Sequence, residues 1–429
     1  MPAETASARQ PVPGPSETYA TTDRAAPAAA SRPSGDGPLK GLRILDLTRL
    51  YPGPLATMML AEMGAEVIKI EDTLRPDPMR VYPPYVGDQS AGFLAVNRGK
   101  RSLALKLNSD SGHEVFFDLV KSADVVIEQF RPGVLSQLGI DYYEAIKSNP
   151  AIIYVSLTGY GQEGPYAGNA GHDINYIGYS GLLGATGNAL GGPALPGGQV
   201  ADIGGGAYPA VIAVLAAVHA RRQTGIGQRV DVSMLDGTLP LMSLQLAHFW
   251  ATGENPQPWE RPLAGGLPAY GVYQCADGRY LALGALEPKF WRLFCQLIGK
   301  PDWEELGLQR GDDGRRLITQ LQKLFRKRSR SQWLELFGDS DICCTPVLDI
   351  PDLEGDPHLR ARGMVVEQEH PAVGAVKGIG QPIKFKGTPE RIGPAAPLLG
   401  EHSEVILSEI GYDDARIDEL KKLRIILSR

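Results

Sequence analysis

The N-terminal third of the chain contains a strand, a helix and a second strand in quick succession. Residues 42–47 (LRILDL) and 65–71 (AEVIKIE) have the apolar pattern of buried strands. Between them, Pro54 suits the first turn of a helix and Gly64 suits a helix end. A helix that joins two strands in this way is a crossover connection, so we expect the two strands to be parallel. Because parallel sheets are covered by helices on both faces, this unit excludes all-β and all-α folds.

The same alternation continues along the first half of the chain. Strands are predicted at 102–107, 124–130, 152–161 and 229–235, and helices at 110–123 and about 207–222. The pattern predicts a doubly wound, Rossmann-like α/β sheet. The first strand–helix turn lacks the G-x-G-x-x-G fingerprint, which argues against NAD as a cofactor.

Composition changes divide the chain into four predicted parts. Residues 1–37 are rich in Ala, Pro, Ser and Thr and are predicted to be a disordered tail. Residues 38–251 form the predicted large domain, which ends at a Pro- and Gly-rich stretch. Residues 252–362 predict a smaller α+β domain with a hairpin that turns at 276–278. Residues 363–429 are a separate C-terminal segment.

Charge, cysteine content and hydropathy narrow the class of protein. The net charge of -6 argues against a nucleic-acid partner, because phosphate binding needs a basic surface. The four cysteines include no C-x-x-C pair, so a metal site is not expected, and their small number is typical of a reduced cytoplasmic protein. No apolar run reaches the roughly 18 residues of a membrane-spanning helix. We therefore expect a cytoplasmic protein without a membrane partner.

A cluster of polar side chains follows the glycine-rich loop after the 152–161 strand. The segment Gly171–Tyr176 reads GHDINY, with His172 and Asp173 at its centre. Histidine is the residue type that most readily acts as an acid or a base near neutral pH. The alternative interpretation of His172 is a structural histidine, and the pattern alone leaves both open.

A second candidate is Asp202, which three glycines follow directly before the long apolar helix. The structural interpretation of Asp202 is that its side chain caps the start of the helix. The functional one is a catalytic acid beside the backbone amides of Gly204 and Gly205, which could stabilise a developing oxyanion. Glu287, before Pro288, is likewise either a first-turn helix acid or a site residue.

Several segments together resemble the class III coenzyme A transferases, which include formyl-CoA transferase and α-methylacyl-CoA racemase. The resemblance runs from about residue 38 to 429 and is closest to the racemase branch of this CaiB/BaiF family. It implies a Rossmann-like large domain completed by the C-terminal segment, and a chain-link homodimer with sites between the large domain of one chain and the small domain of the other. Its markers are LKGLRILDLTRLYPGPLATMMLAEMGAEVIKIE, NRGKRSLALKL, FRPGVLSQLGI, SLTGYGQEGPY, VADIGGG, GQRVDVSMLDG and PLLGEHSEVILSEIGYDD.

The resemblance also implies roles for individual residues. Asp202 matches the transferase nucleophile, which racemases use as an acid/base. GHDINY and ALEPKF match the racemase branch, which implies that His172 is the second acid/base and pairs with Glu287, within the chain or across the dimer interface. Asp173 would help to orient the imidazole. The coenzyme A contacts implied by the match are Arg131, Tyr176, Leu105, Lys106 and Asn108.

Two departures from the family pattern are visible. Formyl-CoA transferases have a four-glycine lid loop, whereas this chain has only Gly265 and Gly266. Racemases have basic residues near the positions of Asp72 and Gln137, so the contacts to the CoA phosphates are expected to differ here.

The leading hypothesis is a racemase or epimerase of 2-methylacyl-CoA thioesters that needs no cofactor beyond the coenzyme A moiety of its substrate. The alternative is a CoA-transferase that works through an aspartyl-CoA intermediate on Asp202. A third hypothesis is an inactive CoA-binding or scaffold protein, which the presence of Asp202, His172 and Glu287 disfavours.

Overall fold

The computed structural model describes residues 37–188, 192–388 and 392–428. The predicted disordered tail, residues 1–37, lies outside this part of the chain except for its last residue.

A seven-stranded sheet forms the centre of the described chain. Six of its strands are β1 (Arg43–Leu47), β2 (Glu66–Glu71), β3 (Arg101–Leu105), β4 (Val125–Glu128), β5 (Ile153–Thr158) and β6 (Arg229–Ser233). These six strands are parallel and lie in the order β6-β5-β4-β1-β2-β3, and the short strand Ile426–Leu427 pairs antiparallel with β3 at the edge. The predicted mixed α/β fold with a mainly parallel sheet is confirmed.

Helices cover both faces of this sheet because its strands are apolar on both sides. One face packs against Pro52–Glu62 and Tyr208–Thr224, and the other against Asp110–Ser122, Tyr142–Ser148, Ser403–Glu409 and Asp414–Lys422. The remaining helices of this half are Ala91–Val96, Val134–Gln137, Asp173–Tyr179, Met234–Thr238 and Ser243–Thr252, with 3-10 turns at Pro78–Val81, Leu183–Ala185 and Leu239–Met242. Two-residue strands pair Tyr85–Val86 with Gln89–Ser90 and Gly187–Asn188 with Gly192–Pro193.

The long apolar helix begins earlier than the sequence predicts. A π-helical turn, Ala201–Ala207, runs directly into Tyr208–Thr224, so the helical segment starts six residues before the predicted start at 207. By length and composition alone, this segment is the one in the described chain that could cross a membrane. Ala210, Val214 and Ala217 are buried in the core, which is the position of a core helix in an α/β protein.

A second, antiparallel sheet lies later in the chain. It has the order β7-β8-β9, with β7 at Tyr270–Gln274, β8 at Tyr280–Gly284 and β9 at Cys344–Pro346. The predicted hairpin through 276–278 is confirmed. Helices Pro288–Leu297, Gly311–Phe325 and Arg330–Phe337 pack around an aromatic core in which the rings of Phe294, Phe325 and Trp333 are in contact. Further 3-10 turns are Pro258–Glu260, Pro262–Ala264 and Pro301–Trp303.

After β9 the chain returns to the parallel sheet. Helices Ile350–Gly355 and Pro357–Ala361 and the hairpin of β10 (Val365–His370) and β11 (Gly374–Ile379) come first. The last helices then pack beside β3, where Ser403 Oγ accepts a hydrogen bond from the Ala104 amide at 3.3 Å and Arg101 pairs with Glu409.

Candidate active site

A cavity of about 410 Å³ lies beyond the carboxyl ends of β1, β4 and β5. From β1 the strands β2 and β3 follow in one direction and β4, β5 and β6 in the other, so the cavity lies where the strand order reverses. This reversal is the place where open α/β sheets bind their ligands. The wall combines apolar residues with polar side chains, among them Arg49, Gln129, Arg131, His172, Tyr176 and Asp202.

Asp202 lies in the first turn of the long helix, on the cavity wall. The N-cap position is Val200, so the interpretation of Asp202 as a capping residue is wrong. Burial, and then the neighbouring charge of Asp173, raise the pKa of Asp202 to about 6. A carboxyl group with this pKa exchanges a proton readily near neutral pH, which suits it for acid/base chemistry.

Asp173 holds the start of that helix. One oxygen of its carboxylate accepts hydrogen bonds from the backbone amides of Ala201, at 2.7 Å, and Asp202, at 3.0 Å. The first amides of a helix have no partner within the helix, and an acid placed there satisfies them. Asp173 therefore fixes the backbone that carries Asp202 and places a negative charge beside it. Its expected action on the imidazole of His172 stays a prediction.

His172 lies on the wall of the same cavity, so the structure brings it together with Asp202. It is the N-cap residue of the Asp173–Tyr179 helix, and its backbone N–H donates to the Asn175 side-chain oxygen at 3.0 Å. The residue is exposed, and its side chain is accessible to a ligand in the cavity.

Tyr176 holds the start of the 171–176 segment through a hydrogen bond to its backbone. Its hydroxyl donates to the carbonyl oxygen of Gly171 at 2.6 Å, and its ring packs edge-on against Tyr160. Burial, and then the charge of Asp202, raise the pKa of Tyr176, so the phenol stays protonated at neutral pH. A Cβ atom at Gly159 would lie only 2.5 Å from this ring, so the glycine is what lets the ring approach the backbone.

A second cavity, of about 400 Å³, adjoins the first along the sheet edge. Arg49 and Phe130 line both cavities, and the Arg49 guanidinium lies 4.7 Å from the centre of the Phe130 ring. Arg75 and the predicted residue Asn108 line the second cavity. The predicted contact Leu105 is fully buried in the core, and Lys106, one residue later, is partly buried.

Glu287 lies away from this wall in the single chain. It is the N-cap residue of Pro288–Leu297 and is close enough to Cys343 to raise the pKa of that thiol, after burial and Asp341. It does not line the cavity that holds His172 and Asp202. Its pairing with His172 stays a prediction.

Gly204 and Gly205 lie inside the π-helical turn, and Gly205 has a clear packing role. A Cβ atom on Gly205 would lie 2.3 Å from the carbonyl oxygen of Met234, so the glycine permits close contact between two helices. Whether these amides bind an oxyanion stays a prediction. Among the described residues, no group of three or more His, Cys, Asp or Glu side chains is arranged to hold a metal ion.

The segment that follows β1 contributes to the site, although no motif in the sequence predicted this. Arg49 and Leu50 line the first cavity, and Leu50 has a left-handed backbone with φ of 65°. Burial, and then the charges of Asp202 and Tyr208, raise the pKa of Tyr51, which places Tyr51 near the candidate catalytic acid. The position of this segment directly after β1 could have indicated a role in the site, because open α/β sheets bind ligands beyond the carboxyl ends of their strands.

Comparison with known proteins agrees with this geometry. Residues 39–403 match the profile of CoA-transferase family III. The chain is 33% identical to succinyl-CoA:glutarate CoA-transferase of Homo sapiens, over 91% of this chain and 90% of that protein. It is 32% identical to alpha-methylacyl-CoA racemase of Homo sapiens, over 91% and 98%. A CAIB/BAIF family protein from Brucella suis has a similar structure, with a TM-score of 0.78 and 29% identity over 88% of this chain and all of that one.

Proposed function

Because this chain belongs to CoA-transferase family III, we propose that it is a racemase or epimerase of 2-methylacyl-CoA thioesters. The observation that carries the proposal is that His172 and Asp202 line one cavity, with the pKa of Asp202 raised to about 6. Two groups able to exchange protons on one bound ligand are what inversion at an α-carbon requires.

In the proposed reaction, one residue of the pair removes the α-proton from one face of the thioester. The electron pair of the broken C–H bond passes into an enolate. The other residue then delivers its proton to the opposite face, and the new C–H bond has the inverted configuration. The pair carries one proton before and after each turnover, so the reaction can run in both directions.

The coenzyme A moiety would occupy the second cavity. The proposal is supported by the residues Arg49 and Phe130, which line both cavities. Arg49 and Arg75 line the second cavity and offer cations to the phosphates of coenzyme A. Arg131, on the wall of the first cavity, is the further CoA contact that the family resemblance implies. Nothing beyond the CoA moiety is required as a cofactor by the proposed steps.

A second candidate is CoA transfer between carboxylic acids, and the polarity of the first cavity favours it. Arg49, Arg131 and Asn169 line a wall that suits a carboxylate. The Asp202 carboxylate would attack the thioester carbonyl, form a mixed anhydride and release CoA thiolate. The thiolate would then attack the Asp202 carbonyl, release the first acid and leave an aspartyl-CoA thioester.

Isotope exchange separates the two candidates. The enzyme is incubated with a chiral 2-methylacyl-CoA in deuterated water, and the α-proton signal is monitored by NMR. A racemase should replace the α-proton by deuterium with loss of chirality. The His172→Ala variant should lose nearly all of this exchange. Absence of exchange together with a hydroxylamine-trapped adduct on the peptide that carries Asp202 would replace the racemase with the transferase.

We also propose an interlocked homodimer in which a second chain supplies Glu287. The support is a run of exposed apolar side chains on the helices between 208 and 252, where Ile212 is 65%, Leu244 69% and Trp250 74% exposed. Co-expression of His172→Ala chains with Glu287→Gln chains tests this. A shared site restores activity in the mixed dimer, because one of its two sites then has both residues. If each site lies within one chain, the mixed dimer is inactive.

The four free cysteines support a cytoplasmic location.

A further inference from the structure

Four charged side chains lie buried beneath the cavity segment that follows β1. Asp46, Lys69, Asp77 and Lys100 are each at most 1% exposed. Lys69 pairs with Asp77 at 3.0 Å, and Lys100 pairs with Asp46 at 3.0 Å. The cluster is neutral overall, and none of its members takes part in the proposed reaction.

These charges also bind the backbone of the segment 48–54. Lys69 donates to the carbonyl oxygen of Thr48 at 2.8 Å, and Lys100 donates to that of Pro54 at 2.9 Å. Between these points, the amide of Leu50 donates to the Asp77 carboxylate at 3.0 Å. The segment is thus held at three backbone positions by side chains of this buried cluster.

These hydrogen bonds hold a residue, Leu50, whose backbone conformation is unfavourable. A left-handed backbone is unfavourable for a leucine, and such residues persist where the surroundings impose the conformation. In this conformation the Leu50 amide donates a hydrogen bond to the buried Asp77 carboxylate. The turn at Leu50 lets this residue and Arg49 line the first cavity, with Tyr51 close to Asp202.

Stability alone is a poor explanation for these charges. Replacing a buried ion pair by apolar residues of similar size is often neutral or stabilising, because the desolvation cost of the ions disappears. A buried pair that binds a strained backbone at a cavity wall is better explained by the geometry that it imposes.

We propose that the Lys69–Asp77 pair positions the Arg49–Tyr51 wall of the active site, with the Leu50 amide as its anchor. Lys69 is a positioning residue, since it reaches the substrate only through this segment. Asp77 also lines the second cavity, so a direct effect of Asp77 on bound coenzyme A is measured as a change in KM, and its positioning role as a change in kcat. The effect on catalysis rests on the proposed function, whereas the anchoring of the backbone does not.

Two double variants isolate the anchor: Lys69→Met with Asp77→Asn, and Lys69→Met with Asp77→Leu. Both lack the ion pair and both leave no unpaired charge at these positions. Asn and Leu have similar size, but only Asn can accept the hydrogen bonds that Asp77 receives from the amides of Leu50 and Met79. Hydrogen–deuterium exchange at Leu50 separates the first of these bonds from the second. The Glu66→Gln variant is the control, because it removes a buried ion pair with Arg43 at the opposite ends of β1 and β2.

Two readouts are compared: kcat and KM for α-proton exchange on 2-methyldecanoyl-CoA, and hydrogen–deuterium exchange at the Leu50 amide. The Leu variant should be less resistant to urea than the Asn variant, because the amides of Leu50 and Met79 both lose their acceptor. Activity is therefore compared without urea, where both variants are fully folded, and there the Leu variant should have a kcat lower by about 100-fold, as expected for a displaced site wall. Its Leu50 amide should exchange about tenfold faster or more.

Equal kcat values in the two variants, measured where both are fully folded, would overturn the positioning role. Equal exchange at Leu50 would overturn the anchor itself. If the wild-type protein shows no α-proton exchange, the racemase proposal fails, and the Leu50 measurement still decides whether Asp77 holds the segment. Glu66→Gln should lower stability and leave Leu50 exchange and kcat unchanged.

Discussion

Replacement of Asp202 by asparagine is expected to abolish activity and to stabilise the protein at alkaline pH. The folded-state pKa of Asp202 is raised from 3.8 to about 6, by burial and by the charge of Asp173. The folded protein therefore binds the Asp202 proton more tightly than the unfolded chain does. Ionisation of Asp202 costs folding free energy, and this cost grows as the pH rises from the unfolded pKa through the folded pKa.

The size of the effect follows from the two pKa values. A shift from 3.8 to about 6 corresponds to about 3 kcal/mol above pH 7, and to about half of that at pH 5. These are upper values, because the carboxyl group is partly solvated and solvent screens its interactions. Asparagine has the same shape and no charge, so it removes this cost.

Urea unfolding of wild-type and Asp202→Asn protein at pH 5 and pH 8 measures the effect. The stabilisation should be larger at pH 8 than at pH 5. Asp339→Asn, which removes the same charge from an exposed position, is the control and should leave stability nearly unchanged at both. A loss of stability in Asp202→Asn at pH 8, or a gain that is the same at the two pH values, would refute the assignment of Asp202 as a carboxyl group whose ionised form is disfavoured by the fold.

Three further outcomes are expected. Asp173→Asn keeps an acceptor for the helix amides but removes a charge, so the pKa of Asp202 should fall and the acid limb of the kcat/KM profile should move to lower pH. Arg131→Ala should weaken coenzyme A binding in calorimetry by about 1.5–3 kcal/mol, if Arg131 contacts a phosphate. Gly205→Ala should destabilise the protein by about 1–3 kcal/mol in thermal unfolding, whereas Gly204→Ala, whose added Cβ would meet only Leu241 at 3.6 Å, should be tolerated.

Local patterns were sufficient to predict the central sheet and to single out two candidate residues, whose roles they left open and the family resemblance supplied. Apolar runs of strand length separated by helical segments specify parallel strands, because each connecting helix returns the chain to the edge of the sheet where the previous strand began. All six parallel strands were predicted within a few residues of their observed bounds. His172 and Asp202 stood out because ionisable residues beside glycines are unusual in a core segment. Their meeting at one cavity required the fold.

Contacts between distant segments decided the rest. The long helix starts at Ala201 because Asp173 satisfies its first amides, and nothing in the local glycine-rich sequence indicates that partner. The pKa of Asp202 likewise depends on burial and on this neighbouring carboxylate.

The segment after β1 shows the same division most clearly. The sequence alone determined that a strand ends near Leu47 and that a helix follows at the prolines. Only the tertiary structure decided that Leu50 takes a left-handed conformation, because the acceptor that holds it, Asp77, comes from beyond the next strand and is fixed by Lys69. A backbone conformation that is locally unfavourable has no local sequence signal, since its free energy is supplied by side chains that only the folded chain brings near.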